Sequence, residues 1–422
     1  MSKTPAALQQ FDIVIIGGAM AGASLALGLA KLNQQRKLQH LPCLSVALIE
    51  AHQADDSHPG FDARSIAIAH GSIFELTRLG IWPKLAHLGT AISDIHVSDR
   101  GHFGMTELNA EPLGLSALGQ VVELAKVGQV LFSELQQADI SLFCPAKLAS
   151  LTAKADGHYL ELDDGSQLSA KLLVAADGAN SVVRQQLKLA AEQIDFGQSA
   201  IVANVETDKP HQHWAYERFT ETGPIALLPM ANMASSNPSS SNKARLSLVW
   251  AVSPDKAEQL KNISENDFLQ QLQLAFGNRA GRFMAVGQRV TYPLTLTRMT
   301  QPIYHRCVFV GNAAQTLHPI AGQGFNLGLR DVVSLIEVIE QQLAQHLHGD
   351  VKADVGNSQV VHQYLASRQQ DRTRTMNNIE FLVRGFSNQH WPLVAGRNIG
   401  LRLLSWLPPL KRPVAQVAMG WR

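Results

Sequence analysis

Three glycine-bearing segments carry the residue types that could handle a phosphorylated, redox-active group. Gly311-Asn-Ala-Ala-Gln-Thr-Leu-His-Pro-Ile-Ala-Gly-Gln-Gly-Phe-Asn-Leu-Gly-Leu-Arg-Asp331 follows an apolar run, Cys307 to Val310, and leads into a helical pattern beginning near Gly324. Strand, glycine-rich loop and helix start, in that order, aim backbone N–H groups and a positive dipole end at one spot, which favours bound negative charge. A second such loop, Gly17-Gly18-Ala19-Met20-Ala21-Gly22, stands near the other end of the chain. It keeps the first and last glycines of a dinucleotide fingerprint, with Ala19 where close backbone approach is still permitted. The context is the required one: a strand precedes, a helix follows, and Glu50 ends the next strand, where it could accept a ribose hydroxyl proton. The third segment, Asp177-Gly178-Ala-Asn-Ser181-Val-Val-Arg184, follows the apolar Leu172 to Ala175. An acid and a glycine after a strand are common in plain turns, so it gains meaning only beside the other two, as a third contact near a pyrophosphate. Two anion-seeking loops at opposite ends of one chain predict a single long cofactor held from both sides. FAD meets that demand: its pyrophosphate fits one cradle, and the flavin N1–C2=O edge, anionic when reduced, fits the other.

Other polar residues promise less. His318 is the acid–base candidate of the long loop, yet a loop histidine is more often positional, and geometry must precede any naming of a base. His211-Gln-His213 has no carboxylate or cysteine at ligand spacing, so no metal is expected. Cys43, Cys144 and Cys307 are far apart and form no CxxC pair, which argues against disulfides and agrees with a reducing cytoplasm. A net charge of +1 gives no reason to expect nucleic acid as a partner.

These residues need a scaffold to place them, and the pattern supplies an α/β one. Asp12 to Ile16 reads as a buried strand, Ala21 to Leu32 as its helix and Ser45 to Glu50 as the next strand, with a polar surface excursion between. Ile13 to Ala30 is apolar enough to suggest a signal peptide, but Asp12 precedes it and glycines interrupt it, so strand–turn–helix is preferred. No other stretch looks able to span a bilayer. Ser65 to Leu79 and Gln120 to Gln137 read as helices. Short alternating runs fill 140–176, with a hairpin turn at Asp164-Gly165, and further strands fill 199–300. Ala234 to Lys243 is a polar low-complexity loop; helices follow at Asp331 to Leu347 and 360–384. The expected architecture is a Rossmann-like FAD-binding domain (8–75, 111–190 and 301–345) and an inserted, mostly antiparallel substrate-binding sheet (76–110 and 191–300). A helical C-terminal region (346–422) completes it.

The three glycine segments, in this order, resemble those of FAD-dependent aromatic hydroxylases of the para-hydroxybenzoate hydroxylase type. The likeness is greatest to the ubiquinone-biosynthesis branch, and it extends over nearly the whole chain. It is carried by His58-Pro-Gly-Phe-Asp-Ala-Arg64, His96-Val-Ser-Asp-Arg-Gly-His102, Gly119-Gln-Val-Val-Glu-Leu124, Glu217-Arg-Phe-Thr220, Gly311 to Asp331 and Pro392-Leu-Val-Ala-Gly-Arg-Asn-Ile-Gly400. The resemblance implies that Arg64 lies along the FAD pyrophosphate and that Gln120, at a helix start, bonds the ribityl or phosphate region. It implies that Asp177 and Gly178 approach the pyrophosphate, and that Gly322, Gln323, Gly324, Phe325 and Asn326 line the isoalloxazine edge with backbone donors. His318 and Pro319 would stand where substrate meets flavin. Asn312 replaces the usual aspartate of the motif; it can still bond a ribityl hydroxyl but removes a negative charge there. Arg218, Phe219 and Pro229 are candidates for the substrate sheet.

The implied activity is hydroxylation of a 2-polyprenyl-6-methoxyphenol to the 1,4-benzoquinol, with NAD(P)H as electron donor and O2 activated at flavin C4a. Alternatives left open are a sister hydroxylase acting at another ring position, an isoprenoid-reducing flavoenzyme and a non-catalytic assembly subunit meeting other ubiquinone-biosynthesis proteins. From Phe381 to Arg422 there is no Asp or Glu, while Arg384, Arg397, Arg402, Lys411, Arg412 and Arg422 alternate with Trp391, Trp406 and Trp421. That composition suits peripheral contact with the inner face of the cell membrane by an otherwise cytoplasmic protein; a docking helix or an oligomer contact is the competing reading.

Overall fold

The computed structural model describes residues 7–53, 64–232, 243–346, 353–386 and 391–420. Phe11 to Ile16 are buried without alternation, as a parallel strand covered on both faces must be. The strand Gln9–Ile16 lies between Gln167–Ala175 and Val46–Ile49, parallel to both. Cys307–Phe309 extends the sheet beyond Gln167–Ala175, and Ser141–Phe143 extends it beyond Val46–Ile49, again in parallel. Ile16 is in register with Ala175 and Ile49, and Ala175 with Phe309. The strands therefore end together, and Gly17, Glu50, Asp177 and Gly311 all leave from one edge of the sheet. Helices Met20–Leu38, Leu124–Gln137 and Gln323–Gln345 cover one face, packing Leu25, Leu29, Leu131, Val332 and Ile336 on Ile13, Ile15, Leu172 and Val174. The hairpin Leu148–Lys154/Gly157–Leu162 closes the other face; Leu160 and Leu162 join Val14, Ile49, Leu173 and Phe309 there.

The second layer is a nine-stranded sheet, ordered Gln315–Thr316, Val290–Arg298, Glu192–Thr207, Ala244–Val252, Pro224–Met230, Trp214–Phe219, Asp94–Asp99 and Met105–Asn109, with Phe283–Val286 beside the end of Glu192–Thr207. Pairing is antiparallel throughout except between Trp214–Phe219 and Asp94–Asp99. Helices Pro254–Asn262 and Glu265–Phe276 lie on its outer face through Leu260, Phe268, Leu272 and Phe276. The third layer is helical: Ser358–Phe386, Trp391–Trp406 and Pro408–Ala418.

Two expected helices begin as strands instead. Ser65–Ala69 precedes helix His70–Arg78, and Gly119–Glu123 precedes helix Leu124–Gln137. The two strands pair antiparallel with each other, and Thr90–Ile92 completes a three-stranded sheet. Ser-Ile-Ala-Ile-Ala carries both periodicities at so short a length, and only the distant partner decides between them. The helix Met20–Leu38 runs six residues past the expected Leu32, so the surface excursion is short. Its polar end stays helical because buried Asn33 exchanges two hydrogen bonds with Leu44 (2.8 and 2.9 Å) and Arg36 Nε donates to the Pro42 carbonyl (2.7 Å). Residues 76–88, read with the substrate sheet, bury Leu76, Leu79, Ile81 and Leu85 in the core of the first layer. The low-complexity loop before Lys243 and the motif positions from His58 to Ala63 lie outside the described residues, as do Trp421 and Arg422.

Candidate flavin site

At the carboxyl edge of the parallel sheet the first glycine loop is fixed by steric need. Gly17 has φ +98°, and a Cβ there would stand 2.5 Å from the Ala176 carbonyl oxygen. A Cβ on Gly22 would come within 1.8 Å of the Gly17 oxygen. Only glycine lets the helix start this close to the strand end. Ala19 is the N-cap of Met20–Leu38, and neither a side-chain cap nor an acid satisfies the first turn. Its N–H groups are thus left for an anion. The Glu50 carboxylate, nearly buried, accepts from Gly18 N–H (2.5 Å) and His52 N–H (2.9 Å).

Asp177 and Gly178 sit beside this loop. Asp177 Oδ2 accepts from Val183 N–H (3.1 Å), while Oδ1 is buried and has no protein partner among the described residues. Burial pushes its carboxyl above the usual range, against the hydrogen bonds it accepts. Gly178 has φ +81° and open space where a side chain would be. Arg184 reaches across to the Ala313 carbonyl (2.8 Å) and back to that of Ala179 (2.6 Å), locking the second segment to the third.

The third segment meets the first directly: a Cβ on Gly311 would lie 3.2 Å from the Ala21 Cβ. Asn312 is exposed on the turn Gly311–Ala313. Gly322, at φ +60°, caps the helix Gln323–Gln345, whose first turn again has no side-chain cap and no acid, and Gly324 faces open space. The Asn326 side chain accepts from Ala69 N–H (2.9 Å) and donates to the Ala67 (3.2 Å) and Gly322 (2.8 Å) carbonyls. It therefore serves the scaffold, riveting the helix start to Ser65–Ala69. Gln323 is buried and Phe325 packs against the first core.

The remaining candidates stand on other elements. Gln120 lies mid-strand, opposite Ile68 and Ala91, rather than at a helix start. Arg64 stands where the small sheet meets the large one, its guanidinium 5.1 Å from the Tyr292 ring centroid. His318 is fully buried, with Nδ1 accepting from Ile320 N–H (3.2 Å) and the ring edge-on to Phe196. Burial lowers its pKa to about 4. With Nδ1 accepting, the proton of the neutral ring sits on Nε2, which has no protein partner among the described residues. Pro319, half-buried, opens the turn Ile320–Gly322. Phe219 faces this loop: it packs with Leu317, Ile320, Ile379 and Val383 and stacks on Phe386 at 3.8 Å. Strand alternation sends Arg218 and Pro229 to the opposite face, where Tyr216 and Leu227 meet the outer helices, so the three substrate candidates do not converge.

Residues 10–376 match the family described as FAD binding domain. The chain belongs to that family of flavin-dependent monooxygenases. It is 32% identical to the ubiquinone hydroxylase UbiL of Rhodospirillum rubrum (97% of this chain, 89% of that protein). It is 31% identical to the 3-demethoxyubiquinol 3-hydroxylase of Escherichia coli (98% and 99%). Its fold matches the crystal structure of p-nitrophenol 4-monooxygenase PnpA from Pseudomonas putida DLL-E4 with a TM-score of 0.74 at 16% identity, covering 98% of this chain and all of the other. The edge thus presents two helix starts without side-chain caps, close-approach glycine turns and the carboxylates of Glu50 and Asp177, a set that fits an FAD-binding protein.

One feature of this flavoprotein escaped the sequence reading. Asp331 Oδ2 accepts from Gly311 N–H (3.2 Å) and Gln315 Nε2 (2.6 Å), and Oδ1 from Arg368 Nε (2.8 Å). Arg372 bonds Gln315 in turn (2.8 Å), and Tyr364 O–H donates to the Phe309 carbonyl (3.1 Å). The third helical layer thus holds the glycine loop from behind. The available signal was the Arg368, Asp371, Arg372 spacing, which puts three ionic side chains on one helix face. A second clamp joins two resemblance motifs: Asp99 accepts from Arg397 Nε (2.8 Å) and Asn398 Nδ2 (2.9 Å), and Asn398 accepts from Gly104 N–H (2.6 Å).

Proposed function

We propose that this flavin monooxygenase hydroxylates the aromatic ring of a polyprenylated phenol in ubiquinone biosynthesis, taking 2-polyprenyl-6-methoxyphenol to 2-polyprenyl-6-methoxy-1,4-benzoquinol. The reading rests above all on one observation: three backbone loops meet at the carboxyl edge of the parallel sheet, beside an apolar cluster formed by Phe219, Ile320, Ile379 and Val383. The names of the Rhodospirillum and Escherichia relatives support the pathway.

FAD, when bound, supplies electron uptake from NAD(P)H and activation of O2. Gly17, Gly18, Ala19, Ala21 and Gly22 present the first helix start to its pyrophosphate, Glu50 takes a ribose hydroxyl, and Asp177 with Gly178 closes the far side. Arg64, Gln120 and Asn312 are proposed to reach the phosphate and ribityl portion. The Gly322 N–H is taken by the Pro319 carbonyl (3.1 Å), so the N–H groups of Gly324 and Phe325 in the first helical turn are those that favour negative charge on the reduced ring edge. The apolar cluster excludes water and orients the phenol ring. His318 keeps a neutral imidazole with its proton on Nε2, which makes it a fixed donor and loop brace instead of a base near neutral pH.

A second reading, action on a later demethoxy-quinol, is favoured by the name of the Escherichia relative. Quinone profiling of a strain lacking the gene separates the two. Accumulated 2-polyprenyl-6-methoxyphenol supports the proposal; an accumulated demethoxy-benzoquinol moves the enzyme to the later step.

A further inference from the structure

Helix Trp391–Trp406 has two apolar faces, and only one is used. Leu401 and Asn398 are buried against the sheet side, and Arg397 is neutralised by Asp99. On the arc that begins beside Asn398 and runs away from Leu401, Trp391 (79% exposed), Ile399 (52%), Leu403 and Trp406 (69%) form a stripe about 22 Å long, given 1.5 Å rise per residue. At 100° per residue Arg402 projects between Trp391 and Trp406. Phe381, Phe103 and Leu407 are also exposed, and the loop bearing Phe103 is tied to this helix by the Gly104–Asn398 hydrogen bond. No helix among the described residues is long and apolar enough to cross a membrane.

We propose that this stripe is a docking face for an anionic lipid surface, on which the helix lies flat. Charge decides the occupant. Glu380 and Asp99 already answer Arg384 and Arg397, while the chain from Phe381 to Arg422 and Arg100-Gly-His-Phe103 hold no acid to face Arg402, so two copies meeting through this face would set Arg402 against basic residues. Anionic headgroups answer them, and tryptophans at both ends of an apolar stripe suit the headgroup level of a bilayer. The placement has a use that rests on the proposed function. Arg397, on the inner side of the same helix, lies over the Phe386 ring and bonds the Gly385 carbonyl (3.2 Å). Phe386 in turn stacks on Phe219 in the apolar cluster. The docking face and the cluster are thus two sides of one helical layer, so a phenol with a membrane-dissolved tail has a short path to the ring site.

The test is flotation of the FAD-loaded full chain with phosphatidylcholine vesicles, with and without phosphatidylglycerol. The expected result is binding that requires phosphatidylglycerol and weakens with salt. The double substitution Trp391→Ser with Trp406→Ser should weaken it about tenfold, and Arg402→Glu should abolish the preference for anionic lipid. Turnover of a short-tailed, water-soluble phenol should stay unchanged in both variants. Failure of the unaltered protein to float, or equal flotation of the double variant, overturns the proposal. So does a dimer in light scattering that the double variant splits, because the stripe then pairs two copies. Intact flotation without phenol turnover would instead reject the proposed function and leave the docking face standing.

Discussion

At the scale of single residues, the cofactor site depends on absent side chains more than on present ones. A methyl group at Gly17 would meet the Ala176 carbonyl and require an alanine at φ +98°. Gly17→Ala should therefore yield a folded protein that binds FAD at least about tenfold more weakly, roughly 1.4 kcal/mol, read by flavin fluorescence titration. His318 makes a contrasting case. Its pKa of about 4 predicts that the pH profile of kcat/KM for the phenol has no inflection from this residue between pH 5.5 and 8. His318→Asn, whose side-chain oxygen can accept from Ile320 N–H, should keep more activity than His318→Leu. Equal loss in both, together with a histidine-like inflection in the native enzyme, would restore His318 as the base.

At the scale of elements, the long C-terminal helix Ser358–Phe386 braces the candidate flavin site from behind, although it supplies no glycine loop. Arg368 and Asp331 are both almost wholly buried, and each satisfies several groups of the network behind Gly311. Removing one charge strands the other, which costs about 3–5 kcal/mol, while removing both costs less. Arg368→Met should thus lower stability strongly and release FAD early in a urea titration. The pair Arg368→Met with Asp331→Asn should recover part of the loss. Two helix starts that the reading missed, Pro254–Asn262 and Glu265–Phe276, were announced by Ser253 and Ser264, each of which caps its helix in the structure. The strands Ser65–Ala69 and Gly119–Glu123 had no comparable local mark, because each is a strand only in the other's company.

At the scale of the whole molecule, three buried histidines set an acid limit on stability. His96, His158 and His318 are at most 2% exposed, and burial lowers each pKa to about 4, helped at His96 by Arg279 and Arg218 and at His158 by His305 and Arg306. An unfolded histidine titrates near 6.5, so between about pH 6.5 and 4 the unfolded chain binds protons that the folded chain refuses. Stability is therefore full above pH 6.5 and falls as pH drops toward 4, by about 3 kcal/mol per histidine at the bottom of the window. Asp177, raised by burial, works in the opposite sense and offsets a little of this near its own titration. Urea midpoints measured from pH 7.5 to 4.5 should decline steadily; a flat profile would mean the three rings are solvated in solution.

What the chain determined by itself was everything that depends on neighbours in sequence. The cradle at Gly17–Gly22, the acid at Glu50, the loop running to Asn326 and the helix behind it are local patterns, because glycine conformation and helix starts are local physics. Tertiary structure alone decided which side chains share a space. It turned Phe219 toward the loop and Arg218 away from it, spent the Asn326 amide on the strand Ser65–Ala69, withdrew Arg397 from the surface and brought Arg368 behind Gly311. Those outcomes follow from strand alternation and from pairings between segments tens to hundreds of residues apart, beyond the reach of any local pattern along the chain.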